Sequence, residues 1–476
     1  MPQKFTHDIS SNALQVIVNQ ICGLGIFYIL STHLDKTDFG EINWTLAVLL
    51  TIFGILTCGI DQVAVRRIAS GQDEKRVLSI YISHVVFSGL MIYLILLINE
   101  YIFPIFFQKH FLLLLLGTGK LMIFFSTPFK QLATGLEKFR PLLFMSVASN
   151  IFRSVALLSF ALFSGLSINL IIIIFIGGDL VELLLCIIVT QRIIKVPVLL
   201  NFDNKEYYGI LKESMPQLGV AVFTSIISRF DWIYLGLFSS SVILANYSFA
   251  YKIFEMATLP MLVLAPLLIP RFTKIFHPDA RGPEIARTND ILVLLRIEMA
   301  ISSLVALVIN IMWVPIIDFI TNGKYGMVNR YTVLFLTAAM PFLYLNNFLW
   351  TINFARGYLK MIFIVFAVTF AANITADIIL IHFYHAEGAA AAYLLTIVIQ
   401  SVLYLGNTRL KGLSKASLSV LVCPACAILG GVIAVLTFHN CWVQLLIACI
   451  LYQALLLLSR QLKFTDLRVV KRITGL

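Results

Sequence analysis

Among the basic side chains that lie inside strongly apolar segments of the sequence are Lys120, Arg153, Arg229 and Lys252. Lys120 and Arg153 are central in their segments, so about 15 Å or more of helix separates each from either end. That distance is near the limit that a long basic side chain can span to reach water. We therefore expect these two cations either to line a wet internal cavity or to form buried ion pairs.

Two pairs of charged residues are spaced three apart, which places both members of each pair on one helix face. Lys252 and Glu255 have opposite charges, so they either satisfy each other or leave Lys252 facing a cavity. Asp179 and Glu182 have like charges and repel each other, so one of them should bind a proton more tightly. Either nearby cations neutralise these carboxylates, or they bind a proton or a sodium ion.

Arg229 and Asp231 stand two residues apart in the apolar stretch "SIISRFDWIYLGLF" (225–238). Residues two apart point about 200° away from each other around a helix, so these two cannot form a good ion pair within it. At least one of them should therefore face protein or water. Arg229 is also close enough to one end of its segment to extend outward to the surface.

Membrane-spanning helices must position these charges. The chain is 60% hydrophobic and 12% charged, with a mean hydropathy of +0.94, whereas soluble domains are about half apolar and about a quarter charged. About 20 mainly apolar residues are needed to cross a bilayer as an α-helix. We predict an all-α integral membrane protein with about fourteen transmembrane helices, near 12–33, 39–62, 77–98, 110–133, 141–163, 168–191, 214–237, 242–268, 290–314, 331–354, 361–382, 387–408, 416–438 and 441–459.

The distribution of basic residues predicts the orientation. Twenty-five of the 35 lysines and arginines fall at the N-terminus, in the even-numbered loops and in the C-terminal tail. The opposite side carries four, Lys36, Lys109, Lys324 and Arg330. The positive-inside rule then places both termini and the loops at 66–76, 192–213 and 271–289 in the cytoplasm. The net charge of +11 thus reflects topology and contact with anionic membrane lipids, and we predict no nucleic-acid partner.

With this orientation, three further charged residues fall near the cytoplasmic ends of predicted spans: Lys130, Arg296 and Glu298. Side chains in such positions can extend to the membrane surface while their stems stay in the apolar layer. We expect all three to do so.

Internal repeats predict how the spans are arranged. "GLEKFRPLLFMSVASNIFRSVALL" (135–158) and "GYLKMIFIVFAVTFAANITADIIL" (357–380) both begin Gly-x-x-Lys and both reach an Asn-Ile pair at mid-span. The offset of six spans predicts two six-helix bundles in a pseudo-twofold arrangement, with substrate handled between them. We assign the N-terminal bundle to 1–193, a cytoplasmic linker to 194–213, the C-terminal bundle to 214–410, and two extra helices with a basic cytoplasmic tail to 411–476.

Several motifs resemble those of bacterial polysaccharide flippases of the multidrug/oligosaccharidyl-lipid/polysaccharide exporter superfamily. "DFGEINWTLAVLLTIFGILTCGIDQVAVRRIAS" (38–70) looks like the opening Phe-Gly and Gly-x-x-x-x-x-Arg-x-x-Ala pattern, and "ANITADIILIHFYHAEGAAAAYLLT" (372–396) looks like the eleventh and twelfth helices. The central stretch also matches in order, at Pro216, Asp231, Tyr247, Ala250-Tyr251-Lys252-Ile253 and Pro270.

The resemblance implies a function. Members of the family move an undecaprenyl-diphosphate-linked oligosaccharide, such as an O-antigen or other surface polysaccharide unit, from the cytoplasmic to the periplasmic leaflet by alternating access. It implies a multi-pass protein of the bacterial cytoplasmic (inner) membrane that needs no cofactor and is not an enzyme. With it we predict that Lys120, Arg153, Arg229 and Lys252 form a cationic cavity for the diphosphate. Asp179, Glu182, Asp231 and Glu255 are then ion-coupling or structural carboxylates, and Asp231 ties its span to the other bundle.

Two alternatives stay open. A multidrug or cation antiporter of the same superfamily would more typically have twelve spans and an acidic cavity, and a membrane polysaccharide polymerase would need a sizeable loop carrying catalytic residues. No catalytic or metal site is predicted, and no Gly-x-x-x-x-Gly-Lys-Ser/Thr phosphate loop occurs. Energy would then come from H⁺ or Na⁺, from the membrane potential or from consumption of the product.

Overall fold

The computed structural model describes residues 2–163, 165–197, 204–259, 284–410 and 412–463, together with positions 261, 268, 272, 276 and 466. These residues form helices joined by short turns, and no strand occurs among them. The fold is therefore all-α, as predicted. The chain divides into two compact units, Met1–Ala245 and Asn246–Leu476. The predicted bundle boundaries and the pseudo-twofold relation stay predictions.

The first unit is built from helices that run almost continuously along its described residues. They are α1 (Pro2–His33), α2 (Lys36–Leu56), α3 (Ile60–Ala69), α4 (Glu74–Ile102), α5 (Pro104–Lys109), α6 (Leu112–Gly135), α7 (Phe139–Phe163), α8 (Ile168–Val189), α9 (Asn204–Ile227) and α10 (Phe230–Phe238). A π-helical turn, Thr190–Ile194, extends α8. Helix α8 packs between α6 and α7, and α1 packs on α7.

The second unit begins within α11 (Ser241–Ala257). Its other described helices are α12 (Glu284–Thr321), α13 (Arg330–Ala338), α14 (Met340–Ala355), α15 (Leu359–Asn407), α16 (Leu413–Ser417), α17 (Ser419–Thr437) and α18 (Cys441–Leu458). Helix α12 packs against α13, α14, α16, α17 and α18, and so forms the centre of this unit.

Ten helices among the described residues are long and apolar enough to cross a membrane, or eleven if α9 and α10 form one span bent by 48°. Each predicted span falls at least partly on a described helix, but α11 and the apolar part of α1 are shorter than this criterion requires. Helix α15 contains two predicted spans. The exact number of fourteen therefore stays a prediction.

Helix α15 is broken at His385, whose φ of 49° and ψ of −122° are not helical. The break falls between the predicted spans 361–382 and 387–408. Beyond it, Gly388 lies directly against the backbone carbonyl of Leu380, so closely that a β-carbon at this position would overlap the oxygen. Glycine permits this close approach because it has no side chain.

Hydrogen bonds of buried side chains hold the part of α15 that follows the break at His385 against α14. The Asn346 side chain donates to the Ile397 carbonyl oxygen at 2.9 Å and to Gln400 Oε1 at 3.0 Å. It accepts a hydrogen bond from Ser401 Oγ at 2.7 Å. All of these polar atoms are therefore satisfied away from water, as burial requires.

Large apolar side chains cover much of the outer surface. Phe163, Phe319 and Leu436 are 85%, 84% and 79% exposed. A water-soluble protein rarely leaves extended apolar surface exposed. These side chains and the long apolar helices are those of a multi-pass membrane protein.

Candidate functional site

Five charged side chains of the first unit meet where α8 packs between α6 and α7. Asp179 and Glu182 lie one turn apart on α8, as their spacing predicts. Lys120 and Lys130 come from α6, and Ser149 and Arg153 lie one turn apart on α7. We call the five charged residues, Lys120, Lys130, Arg153, Asp179 and Glu182, the charge cluster.

Asp179 lies between two cations. The Arg153 guanidinium contacts the Asp179 carboxylate directly, and Lys120 Nζ lies 3.6 Å from Asp179 Oδ1. The Arg153 guanidinium also lies over the ring of Phe175, at 5.2 Å from its centre. The helices approach closely here because Gly119 stands beside Asp179 and Gly178 stands beside Arg153, where a β-carbon would overlap either side chain.

Glu182 forms the second part of the cluster. One carboxylate oxygen, Oε1, accepts a hydrogen bond from Lys130 Nζ, and the other, Oε2, accepts one from Ser149 Oγ. Each carboxylate of α8 therefore has a cation from a neighbouring helix and a polar or cationic partner from α7. Buried charges persist in a protein when they are paired and hydrogen-bonded in this way.

Burial differs between the members of the charge cluster. The Asp179 and Glu182 side chains are only 2% and 5% exposed, whereas Lys120 and Lys130 keep 13% and 23%. The carboxylates are thus enclosed while both lysine side chains retain accessible surface. Three cations face two carboxylates, so the charge cluster carries one positive charge in excess. Such a group can attract an anion that reaches its accessible side.

The cluster is linked to α1 through an asparagine pair. Arg153 Nη1 donates to Asn150 Oδ1 at 3.4 Å, and Asn150 Nδ2 donates to Asn19 Oδ1 at 3.0 Å. Asn150 belongs to the Asn-Ile pair that marks the internal repeat. The contact connects the position of the guanidinium to the packing of α1 on α7.

Comparison with known proteins identifies the family. Residues 5–276 match the family model described as polysaccharide biosynthesis protein. The chain belongs to this family. No curated protein sequence matches it.

Solved structures share the fold of this family member. A lipid II flippase MurJ in an inward closed conformation aligns with a TM-score of 0.71 and 20% identity, over 94% of this chain and 98% of that chain. An inward-facing multidrug resistance MATE family transporter of the MOP superfamily aligns with a TM-score of 0.65 and 14% identity, over 86% and 98%. A MOP superfamily transporter from Pyrococcus furiosus aligns with a TM-score of 0.55 and 13% identity, over 87% and 96%. These likenesses show that the chain shares the fold of these proteins.

Arg229 and Asp231 lie at the start of α10, where the chain bends between α9 and α10. Arg229 is the residue that precedes α10, and its guanidinium lies over the ring of Trp232 at 4.7 Å. Asp231 is buried, and its Oδ1 accepts a hydrogen bond from the Trp232 backbone N–H at 2.8 Å. The two side chains do not share one helix face. The cavity role of Arg229 and the inter-bundle role of Asp231 stay predictions.

Lys252 and Glu255 satisfy each other on α11. Lys252 Nζ donates to Glu255 Oε2 at 2.7 Å, with the two side chains 23% and 37% exposed. The sequence left two arrangements open, a local ion pair with Glu255 or a Lys252 side chain that faces a cavity. The structure contains the local pair. A role of Lys252 toward substrate stays a prediction.

Two residues expected to extend to the membrane surface do not. Lys130 contacts Glu182, whose buried carboxylate requires a compensating charge. Glu298 is 6% exposed and lies inside the second unit. Lys130 and Ser149 were not predicted from the sequence as partners of Glu182, although like-charged carboxylates on one helix face indicate that cations or hydrogen-bond donors lie nearby. Ser149 stands four residues before Arg153, which places both on one face of α7.

A separate set of ion pairs joins α3 to α9 outside the spans. Arg66 and Arg67 both contact the Glu213 carboxylate, with Arg67 Nε at 2.9 Å. Burial raises the pKa of the Glu213 carboxyl, but hydrogen bonds and charges from Arg67 and Arg66 outweigh it and hold the pKa below its ordinary value. The carboxylate is therefore ionised at neutral pH.

Proposed function

We propose that this chain is a flippase for a lipid-linked oligosaccharide. Its substrate would be an undecaprenyl-diphosphate-linked oligosaccharide, such as an O-antigen or other surface polysaccharide unit. The protein would move it from the cytoplasmic to the periplasmic leaflet of the bacterial inner membrane by alternating access. Membership of the polysaccharide biosynthesis family and the fold shared with a lipid II flippase support this proposal.

The observation that carries the proposal is the excess positive charge of the charge cluster. A diphosphate diester has about two negative charges, and an isolated charge is strongly disfavoured in hydrocarbon. A cation in a low-dielectric environment attracts such a group much more strongly than it would in water. Lys120 suits this role because it is the less closely held partner of Asp179 and keeps accessible surface. It can turn toward a phosphate while Arg153 continues to neutralise the carboxylate.

The same charge disfavours the multidrug alternative at this site. MATE transporters share the fold, so the fold by itself supports either function. A cationic drug would be repelled by a cluster with an excess positive charge. A substrate with a negatively charged linkage would be attracted to it.

A binding experiment with the purified chain tests the proposal. Undecaprenyl diphosphate and uncharged undecaprenol are added to protein in detergent, and bound lipid is quantified by native mass spectrometry. The wild type should bind the diphosphate more tightly. Lys120→Met should lower that affinity about tenfold or more, because a hydrogen bond to a charged group contributes about 1.5–3 kcal/mol. Lys120→Arg should retain part of it.

Lys109→Met is the matched control, because Lys109 is exposed on α5 and lies outside the charge cluster. It should bind undecaprenyl diphosphate like the wild type. Equal binding of the diphosphate and the alcohol by the wild type would refute the proposed site. Export of a cationic dye from proteoliposomes, without movement of the lipid, would instead favour the antiporter.

A further inference from the structure

Glu298 is a buried carboxyl group inside an apolar span of the second unit. It lies on α12, eight residues after the start of the candidate span Asp290–Thr321, so about 12 Å into that span. The residue is 6% exposed, and its Oε2 atom is buried without a hydrogen-bond partner. Within the part of the chain that the structure describes, no cation forms an ion pair with it.

The basic residue nearest in sequence points elsewhere. Arg296 Nη2 lies 3.6 Å from Asp466 Oδ1, and Arg296 Nη1 donates to the Arg460 carbonyl oxygen at 3.5 Å. Residues two apart project from different sides of a helix. The guanidinium is therefore engaged outside the environment of Glu298.

The helices that pack on α12 contribute mainly neutral groups. Helix α14 carries Tyr344, whose hydroxyl group is buried and close enough to Glu298 to interact with it electrostatically. Helix α17 carries the thiols Cys423 and Cys426, and α18 carries Tyr452, whose hydroxyl donates to the Ala300 carbonyl oxygen at 2.9 Å.

The remaining two neighbours of α12 are α13 and α16, and each carries a basic residue. The titratable residues of α13, Arg330 and Tyr331, lie at its N-terminal end, which follows the C-terminus of α12 in the chain. They are therefore far along α12 from Glu298. The lysine of α16, Lys415, lies outside the described side chains. No described neighbour thus supplies a positive charge to this carboxyl.

Without a cation, the ionised form of Glu298 is strongly disfavoured. Moving a carboxylate into a protein interior is strongly unfavourable even after the protein relaxes, and such a group takes up a proton instead. Asp179 and Glu182 differ because each already contacts a cation. We propose that Glu298 binds a proton in this conformation and is the site of the coupling proton. Its role in coupling rests on the proposed flippase function, but proton binding itself does not.

Alternating access gives the proton a way to leave. A conformation that exposes Glu298 to water lowers the cost of the charged form, so the carboxyl releases its proton there. Return to the closed conformation requires a neutral carboxyl and hence a new proton. A proton gradient can then bias the direction of the cycle, because the two conformations differ in proton affinity.

Infrared spectroscopy of the purified chain in lipid at neutral pH tests proton binding. A protonated carboxyl gives a carbonyl stretching band distinct from that of a carboxylate and sensitive to deuterium exchange. Glu298→Gln should remove this band, and Glu298→Asp should shift it. The control Asp318→Asn should leave it unchanged, because it alters a different carboxyl group of the same helix, one that accepts backbone N–H bonds from Gly326 at 2.7 Å and Met327 at 3.2 Å. A band that persists in folded Glu298→Gln protein would overturn the proposal.

A transport experiment tests coupling separately. Flipping of an undecaprenyl-diphosphate-linked oligosaccharide is measured in proteoliposomes with and without a pH gradient. The wild type should flip faster with the gradient, and Glu298→Gln should have the same rate in both conditions. If the wild type flips the lipid at the same rate with and without the gradient, coupling through Glu298 is refuted and the flippase proposal remains. Absence of any flipping would refute the flippase proposal, while the infrared band still decides whether Glu298 holds a proton.

Discussion

Lys120 Nζ lies 3.6 Å from Asp179 Oδ1, while the Arg153 guanidinium contacts the same carboxylate directly. One carboxylate thus has two cationic partners, and the Arg153 guanidinium lies closer to it than the Lys120 ammonium group does. Arg153 neutralises Asp179, and Lys120 is the cation that can move to another anion without leaving a buried negative charge alone. Under the proposed function, Arg153 has the structural role and Lys120 the binding role within one cluster.

Removing Arg153 alone should destabilise the protein. The change Arg153→Met leaves the buried Asp179 carboxylate with only the more distant Lys120, and breaking a buried pair from one side costs about 3–5 kcal/mol. The double variant Arg153→Met/Asp179→Asn should recover most of that loss because no buried charge is left unpaired. Thermal unfolding in detergent of both single variants and the double variant measures the coupling. Additive losses would show that the contact contributes nothing to folding.

Two glycines of α6 should respond differently to alanine. A β-carbon at Gly119 would overlap the Asp179 carboxylate, whereas one at Gly117 would lie 3.4 Å from Tyr93 and 3.7 Å from Leu49, in ordinary contact. Gly119→Ala should therefore lower stability by about 1–3 kcal/mol. Gly117→Ala should be neutral or stabilising, because alanine favours a helix by up to about 1 kcal/mol over glycine. Equal melting temperatures for the two variants would contradict this packing.

The contact between α3 and α9 should weaken in acid. The folded-state pKa of Glu213 lies below its ordinary value, so its stabilising contribution is fully present above the unfolded-state pKa of about 4.3. That contribution is lost as the pH falls through the folded-state pKa. Glu213→Gln should remove the pH-dependent part, with an Arg67–Glu213 coupling of about 0.5–1 kcal/mol in a double-mutant cycle. Unfolding curves collected from about pH 6 down to about pH 3.5 measure both. An identical acid response in wild type and Glu213→Gln would exclude this role.

The predicted orientation can be tested with single cysteines. All seven native cysteines are free, so they can be replaced without breaking a disulfide in the structure. Ser70→Cys, in a predicted cytoplasmic loop, should not react with a membrane-impermeant maleimide in intact cells. Ser240→Cys, exposed between α10 and α11, is the matched control and should react. The reverse pattern would invert the topology.

The apolar helices could be predicted from the sequence because their signal is local. A stretch of about 20 apolar residues is long enough to cross the bilayer whatever its neighbours are, since a helix satisfies its own backbone hydrogen bonds. For the same reason the break near residue 385 could be placed between two predicted spans. The number of spans was harder, because it depends on whether bent or short helices such as α9 with α10, α11 and α1 each cross the membrane.

The site was predicted only in part. The sequence by itself determined that Lys120, Arg153, Asp179 and Glu182 are charges deep in apolar helices and therefore need a wet cavity or oppositely charged partners. It also placed Asp179 and Glu182 on one face through their spacing. Their partners could not be read from spacing, and Lys130 and Glu298 were assigned to the membrane surface from their position along the chain alone.

Tertiary structure decided the pairing. Lys130 and Glu182 are 52 residues apart in sequence, and Ser149 and Glu182 are 33 apart, so only the packing of α6 and α7 on α8 brings them together. The same packing supplies cations to both carboxylates of α8 and none of the described cations to Glu298 on α12. An ionised carboxylate in an apolar interior is stable only beside a compensating charge. Which carboxylates carry a charge and which carries a proton therefore depends on three-dimensional neighbours that no local pattern encodes.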